Sequence, residues 1–134
     1  MVTEALVKES LSSEMIAAGA ELTRRLDAAG LVVSASLWLL IAETNTWRFV
    51  IGSPGVRVQG PKNAYKRVQS VISRIPGEQI RISLKDVTVI DSNDPPLSVL
   101  RLTLKTGDGI SGIRFTHNVI NGTLIEDSYI YRMS

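Results

Sequence analysis

The Asn121-Gly122 pair constrains this chain most, because it stands between two runs in which apolar and polar residues alternate. Asn and Gly tolerate the positive φ angles of a type I′ turn, so the pair is a strong signal for a β-hairpin with a two-residue turn. Such a turn fixes the register of residues 113–132, because opposite residues then have numbers that sum to 243. The register predicts that His117 faces Glu126.

The same register divides the hairpin between two faces, since neighbouring side chains of a strand point to opposite sides of a sheet. The first face is mostly apolar and is predicted to contact the core. It carries Ile113, Phe115, His117, Val119, Leu124, Glu126, Ser128 and Ile130. The second face is mixed and is predicted to contact solvent or a partner. It carries Arg114, Thr116, Asn118, Ile120, Thr123, Ile125, Asp127, Tyr129 and Tyr131.

Four residues of the second face are candidates for a protein interface, because Arg and Tyr are frequent interface anchors. These residues are Arg114, Asp127, Tyr129 and Tyr131. The adjacent carboxylates Glu126 and Asp127 fall on opposite faces, so they do not form the cooperating pair of a glycosidase or a metal site. His117 is the only histidine of the chain, and we interpret it as half of a cross-strand contact. No catalytic residue, metal ligand or cofactor is predicted.

Periodicity predicts the elements before the hairpin. Apolar residues at spacings of three and four indicate an amphipathic helix over residues 12–29. Residues 31–42 are apolar on both faces of a strand, which is typical of a central strand. Residues 47–51 return as its antiparallel partner, and a second amphipathic helix is predicted over residues 62–75.

Two further stretches are less regular. Residues 79–91 alternate like a strand, but the parity of the apolar positions changes near Lys85, which indicates a bulge. Residues 95–106 alternate in part like a strand. However, Asp94 as a cap and Gly107 as a stop favour a helix of about three turns.

The resulting order of elements is α-β-β-α-β-α-β-β. It predicts an α+β fold, in which a mostly antiparallel sheet has two or three helices packed against it. The chain of 134 residues is long enough to bury a core and is interpreted as a single domain of residues 1–134.

Composition and charge patterning indicate the cellular compartment in which we expect the protein. The chain has no cysteine, which excludes disulfides and thiolate chemistry. The N-terminal stretch carries interspersed acids rather than the apolar run of a signal peptide. The longest apolar stretch, residues 31–42, is shorter than the roughly 20 residues that a membrane-spanning helix needs. We expect a soluble cytoplasmic protein with no membrane contact.

The net charge of +2 conceals a strong asymmetry. Residues 54–85 carry seven bases against Glu78 alone, whereas residues 1–53 and 86–134 each carry four bases against six acids. The seven bases are Arg57, Lys62, Lys66, Arg67, Arg74, Arg81 and Lys85. Such a cationic block suits the phosphates of a nucleic acid or an acidic protein partner. A solvated helix face without a ligand is the alternative.

Two stretches of the sequence support a family resemblance. These are "AAGLVVSASLWLLIAETNTWRFVIGSP" and "GISGIRFTHNVINGTLIEDSYIYRM". Through them, the chain resembles a family of small bacterial proteins to which no activity is assigned. The resemblance covers most of the chain, implies a prokaryotic or phage origin, and favours the helical interpretation of residues 95–106.

These observations predict a small, non-enzymatic binding or accessory protein that acts through protein–protein contacts. A protein partner or self-association is expected, and the basic block over residues 57–85 makes nucleic-acid binding possible. The alternative is a small hydrolase or nuclease whose site has no recognised motif.

Overall fold

The computed structural model describes residues 10–77 and 82–134. In these two ranges, helices and strands follow one another in the predicted order, with one additional short helix, α2. The helices are α1 (Ser13–Ala28), α2 (Gly55–Gln59), α3 (Pro61–Ser73) and α4 (Leu97–Leu100). The strands are β1 (Ala35–Ile41), β2 (Thr46–Gly52), β3 (Val87–Ile90), β4 (Ile113–Ile120) and β5 (Thr123–Met133). The predicted α+β fold is confirmed.

The strands of the described residues form one sheet in the order β3-β2-β1-β5-β4. β1 is the central strand, as the sequence predicted, and nearly all of its residues are buried. The β2–β3 pair is parallel and the other pairs are antiparallel. Parallel neighbours need a crossover connection rather than a tight turn, and α2 and α3 supply it between β2 and β3.

The hairpin of β4 and β5 has the register that the Asn-Gly turn predicts. Its outermost described pair is Ile113 with Ile130, and its innermost is Ile120 with Thr123. Asn121 and Gly122 both have positive φ angles, 51° and 84°, as a type I′ turn requires. The turn chemistry therefore sets the register of the β4–β5 pairs on both sides of His117.

Helices α1 and α3 cover one face of the sheet. Buried apolar side chains of α1, including Leu22 and Leu26, pack with Trp38 and Phe49 of the sheet. Ser12 caps α1, since its side chain accepts a hydrogen bond from the Met15 amide at 3.1 Å. This helical face holds the larger of the two apolar clusters.

The short helix α4 covers the opposite face. Leu97 and Leu100 are fully buried and pack with Leu37, Ile130 and Met133. The sheet is therefore enclosed on both sides near its centre, and β1 contributes alternate side chains to the two clusters.

Only Leu97–Leu100 of the stretch over residues 95–106 are helical, so the helix is much shorter than the three turns predicted. α4 spans four residues and is followed by turns rather than by further helix. The expected cap is also different: the N-cap is Pro96, without a side-chain hydrogen bond, and the Asp94 carbonyl accepts the Leu97 amide at 2.9 Å. Pro96 has no amide hydrogen to donate to a capping side chain. The start of α4 is therefore held by the backbone hydrogen bond to the Asp94 carbonyl and not by the Asp94 side chain.

Of the stretch predicted as a strand over residues 79–91, the described part begins at residue 82, and its strand is β3. A 3₁₀ turn, Leu84–Asp86, lies where the parity of the apolar residues changes, and β3 follows it. Residues 78–81, and with them the predicted basic residue Arg81, lie outside the described residues.

Candidate binding surface on the helical face

Four predicted basic residues, Lys62, Lys66, Arg67 and Arg74, belong to α3 or to its C-terminal cap. The helical period buries Ala64, Val68 and Val71 against the sheet. It leaves the two lysines and Arg74 exposed, and Arg67 half-buried. The residues from Pro61 to Ser73 include no acid, so this helix presents positive charge to solvent.

An open cleft of about 500 Å³ lies between the C-terminal halves of α1 and α3. A smaller cleft of about 140 Å³ adjoins it and shares Ala29, Val71 and Arg74. We call the two together the arginine cleft. Its lining residues are Glu21, Arg24, Arg25, Ala28, Ala29, Leu31, Arg67, Ser70, Val71 and Arg74.

The charges of the arginine cleft are strongly unbalanced. Its described lining has four arginines, two from each helix region, against the single carboxylate of Glu21. That carboxylate accepts a hydrogen bond from Arg25 at 2.8 Å and another from Arg24 at 3.0 Å. The bond from Arg25, followed by that from Arg24, holds the pKa of Glu21 below its usual value, although desolvation opposes them. Glu21 therefore stays ionised, and the described lining residues carry an excess of three positive charges.

The contribution of α1 was not anticipated as part of a site. Arg24 and Arg25 lie outside the basic block, and their position near the end of α1 has an ordinary explanation in the helix dipole. The sequence does not show that α1 packs beside α3. This packing places the two pairs of arginines on one cleft. The signal available was the adjacency of two arginines on a helix whose other side is apolar.

Among the described residues of the basic block, Arg57, Lys62, Lys66 and Lys85 do not line this cleft. Lys62 precedes Arg74 by twelve residues, about 18 Å along a helix axis. Arg57 lies on α2, is largely exposed, and contacts the buried Asp91 carboxylate at 3.5 Å. Lys85 lies on the 3₁₀ turn before β3. The block that is continuous in sequence is thus divided in space.

Among the hairpin candidates, Arg114 is exposed, Asp127 and Tyr129 are half-buried, and Tyr131 is buried. Arg114 and Asp127 form two parallel hydrogen bonds, at 2.7 and 2.6 Å. These bonds raise the pKa of Arg114, with desolvation opposing them. The Arg114 guanidinium also lies 5.8 Å from the centroid of the Trp47 ring, within the range of a cation–π contact. Arg114 and Asp127 are thus tied to each other and to the sheet.

Tyr131, one of the interface candidates, is buried under α1. Its side chain is 1% exposed, and its hydroxyl donates a hydrogen bond to the Ile16 carbonyl of α1 at 2.6 Å. Burial raises the pKa of this hydroxyl. Tyr129 is half-buried, and its ring meets that of Tyr131 edge to face at 5.3 Å. The mixed face is covered here because α1 crosses the C-terminal half of β5.

His117 and Glu126 make the predicted cross-strand contact. The His117 Nδ1 atom lies 3.5 Å from the Glu126 carboxylate, and the histidine side chain is 79% exposed. His117 has a φ of 55°, an unusual backbone conformation for a residue other than Gly. The contact joins the two strands near the turn, and it coincides with a distortion of β4.

The described part of the chain holds neither a metal-binding group nor a membrane span. In residues 10–77 and 82–134, no three His, Asp or Glu side chains are grouped closely enough to hold a metal ion. No helix in the same ranges has the length and apolar character needed to cross a bilayer.

The fold and the cleft define an α+β protein with a cationic surface on its helical side. Comparison of the chain with protein-family models, with curated proteins and with solved structures finds no match. The resemblance to a family of small bacterial proteins stays an expectation.

Proposed function

We propose that this protein is a non-enzymatic accessory protein that binds an acidic segment of a protein partner in the arginine cleft. The observation that carries the proposal is the convergence of two arginines from α1 with two from the α3 region on one open cleft. The four arginines come from two helices that are distant in sequence. If the basic residues only kept one helix face solvated, arginines of a second helix would not be expected beside them.

The chemistry of the cleft favours a carboxylate-bearing peptide. A guanidinium group is planar and can donate two parallel hydrogen bonds to one carboxylate. Between the arginines, the lining is apolar, with Ala28, Ala29, Leu31 and Val71. Protein interfaces combine an apolar centre with arginine contacts in this way, so a segment that alternates acidic and small apolar residues fits the cleft.

A nucleic acid is the second candidate, and the charge of α3 favours it. Lys62 and Lys66 extend the positive surface beyond the cleft, on a helix without acids. Each phosphate that a base neutralises releases counterions and makes the binding sensitive to salt. The apolar lining between the arginines can contact apolar side chains of a peptide but gives nothing to a phosphate backbone, which is why we place the acidic peptide first.

A binding assay with matched variants tests the proposal. The probe is a fluorescein-labelled peptide, Ac-EDAEELEDAE-NH2, and its anisotropy reports binding; a random-sequence DNA duplex is the competing probe. We expect the Arg24→Glu/Arg74→Glu variant to lose affinity for the peptide by about tenfold or more, which corresponds to about 1.4 kcal/mol. Lys105→Glu makes a charge change of the same sign at an exposed position outside the cleft and should change the affinity little.

A second variant separates the two candidates. Lys62→Glu/Lys66→Glu should leave peptide binding intact if the arginine cleft is the site. If the duplex binds more tightly than the peptide and this lysine variant abolishes its binding, the ligand is a nucleic acid. Peptide binding that is equal in the wild type and the Arg24→Glu/Arg74→Glu variant contradicts the proposal.

The cytoplasm is the compartment we propose, since a chain without cysteine suits reducing conditions.

A further inference from the structure

The central strand β1 and its neighbour β5 separate at one end of the sheet. Their pairing runs from Ala35 with Met133 to Leu39 with Ser128. β1 continues to Ile41, where it pairs with β2 on its other side, and β5 begins five residues before Ser128, at Thr123. The two strands therefore diverge beyond Leu39.

A distortion of the hairpin accompanies this separation. The described pairs of β4 with β5 stop at Thr116 with Asp127 and resume at Asn118 with Ile125, on either side of His117. His117 itself has a φ of 55°. Beyond it, Ile125 packs in the same apolar cluster as Ile130, although strand alternation alone would place the two on opposite faces. The tip of the hairpin is thus rotated relative to its base.

An open cleft of about 350 Å³ occupies the space where β1 and β5 diverge. We call it the hairpin fork. Its lining residues are Leu39, Leu40, Ile41, Ala42, Glu43, Pro96, Leu124, Ile125 and Glu126. The lining is apolar except for two carboxylates, and Leu124 is 52% exposed beside its cross-strand partner Val119, which is 69% exposed. Large exposed apolar side chains grouped in this way are typical of an interaction site.

We propose that the hairpin fork binds an extended peptide in which apolar residues alternate with lysine or arginine. The peptide adds as a short strand to the side of β1 that faces the fork, beyond Leu39. Main-chain hydrogen bonds give such strand addition its affinity, and pockets for alternate side chains give it selectivity. An apolar side chain of the peptide contacts the exposed Leu124. The charges of Glu43 and Glu126 select a cationic peptide.

This site is independent of the arginine cleft and takes a ligand of opposite charge. Glu126 already lies 3.5 Å from the His117 ring, so the exposed Glu43 is the carboxylate that is most open to a basic side chain. A cationic peptide is repelled by the four arginines on the helical face. The failure of one proposal therefore leaves the other standing.

The experiment uses three capped peptides and amide chemical shifts of the full chain. Ac-KVTVK-NH2 is the probe, Ac-EVTVE-NH2 reverses its charge, and a version of the probe with N-methylated valines removes backbone donors. We expect the probe to shift the amide signals of strand residues that line the fork, namely Leu40, Ile41, Leu124 and Ile125. The acidic and the N-methylated peptides should bind about fivefold to tenfold more weakly, since each loses interactions worth about 1 kcal/mol.

Matched variants locate the site. Leu124→Arg should abolish the shifts, and Glu43→Lys should weaken binding of the probe while leaving the fold unchanged. Leu102→Arg is the control, because Leu102 is similarly exposed, at 64%, and does not line the fork. The Arg24→Glu/Arg74→Glu variant should bind the probe as the wild type does. Shifts that are absent from the fork, or that persist in Leu124→Arg, overturn the proposal.

Discussion

Tyr131 and Arg132 are adjacent in β5, yet both side chains reach α1. The Tyr131 hydroxyl donates to the Ile16 carbonyl, and the Arg132 guanidinium pairs with Asp27 near the other end of the helix. The cause is a register shift in the β1–β5 pairing, which places Tyr131 between the paired residues Ile130 and Arg132. A bulge puts two residues of one strand opposite one of the other, so two consecutive side chains fix α1 to the sheet.

Arg132 is 4% exposed and is fully engaged by its neighbours. It makes two hydrogen bonds of 2.9 Å to Asp27 and one each to the carbonyls of Val33 and Gly109, both at 3.1 Å. We expect Arg132→Ala to lower the free energy of unfolding by about 2–4 kcal/mol, because removal takes the donor from the Val33 and Gly109 carbonyls and breaks the ion pair with Asp27. Urea denaturation measures this change.

The matched control for Arg132 is Arg24→Ala. The Arg24 side chain is 59% exposed in its ion pair with Glu21, and its loss should cost about 0.5 kcal/mol or less. Asp27→Ala should fall between the two, because Arg132 keeps its carbonyl partners. Equal effects of Arg132→Ala and Arg24→Ala would show that the buried pair does not stabilise the fold.

Gly19 marks the closest approach of α1 to the sheet. A Cβ atom at this position would overlap the hydroxyl and ring of Tyr131. We expect Gly19→Ala to destabilise the protein by about 1–3 kcal/mol, since an extra methyl in a packed core displaces its neighbours. Thermal unfolding followed by circular dichroism measures the effect.

Two further variants test the cause assigned to Gly19. Gly107→Ala places its methyl where nothing lies within 4 Å and should leave the melting temperature nearly unchanged. Tyr131→Phe in the Gly19→Ala background removes one of the overlapping atoms and should cost less than the sum of the two single changes. If the losses of stability in the two single variants add up in the double variant, the methyl at position 19 clashes with a group other than the Tyr131 hydroxyl.

At the scale of the elements, the sequence predicted those structural features that depend only on residues close together in the chain. The Asn121-Gly122 turn fixed the register of β4 and β5, and the two apolar faces of residues 31–42 identified the central strand. The length of α4 and the rotation of the hairpin tip were not predictable. Both depend on packing against the sheet, and intrinsic propensity is a weak guide where tertiary contacts decide.

The candidate sites show the same division. The exposed cations of α3 could be predicted from helical period alone, whereas their meeting with Arg24 and Arg25 required the packing of α1 beside α3. The burial of Tyr131 could not be predicted, because alternation distinguishes the faces of a strand but not which face a helix covers. The bulge beside it has no signal in the alternating pattern of residues 123–133.

The distortion at His117 gives a prediction for the hairpin as an element. A β-branched residue tolerates a positive φ poorly, whereas Asn tolerates it well. We therefore expect His117→Val to lower the free energy of unfolding by about 1–2 kcal/mol, which is the cost of the left-handed conformation for an L-residue. His117→Asn should lower it much less. Both variants remove the contact with Glu126, so the difference between them isolates the backbone. Equal melting temperatures would show that β4 straightens at no cost.

At the scale of the whole molecule, β1 links the two apolar clusters. Leu37 and Leu39 pack on the α4 side, while Trp38 and Leu40 pack on the side of α1 and α3. A strand that contributes to both faces couples their stabilities, because neither cluster can lose it and remain intact. The interpretation of the chain as a single domain rests on this coupling.

That coupling can be measured with one substitution far from the tryptophans. Leu100 is fully buried on the α4 side, whereas Trp38 and Trp47 are both buried in the cluster of α1 and α3. We expect Leu100→Ala to lower the free energy of unfolding by about 2–4 kcal/mol through the cavity it leaves. The unfolding transitions by tryptophan fluorescence and by far-ultraviolet circular dichroism should move together, as two-state unfolding requires. Leu102→Ala, at an exposed neighbouring position, should move neither. If Leu100→Ala shifts the dichroism and leaves the fluorescence midpoint in place, α4 unfolds separately and the two faces are not one cooperative unit.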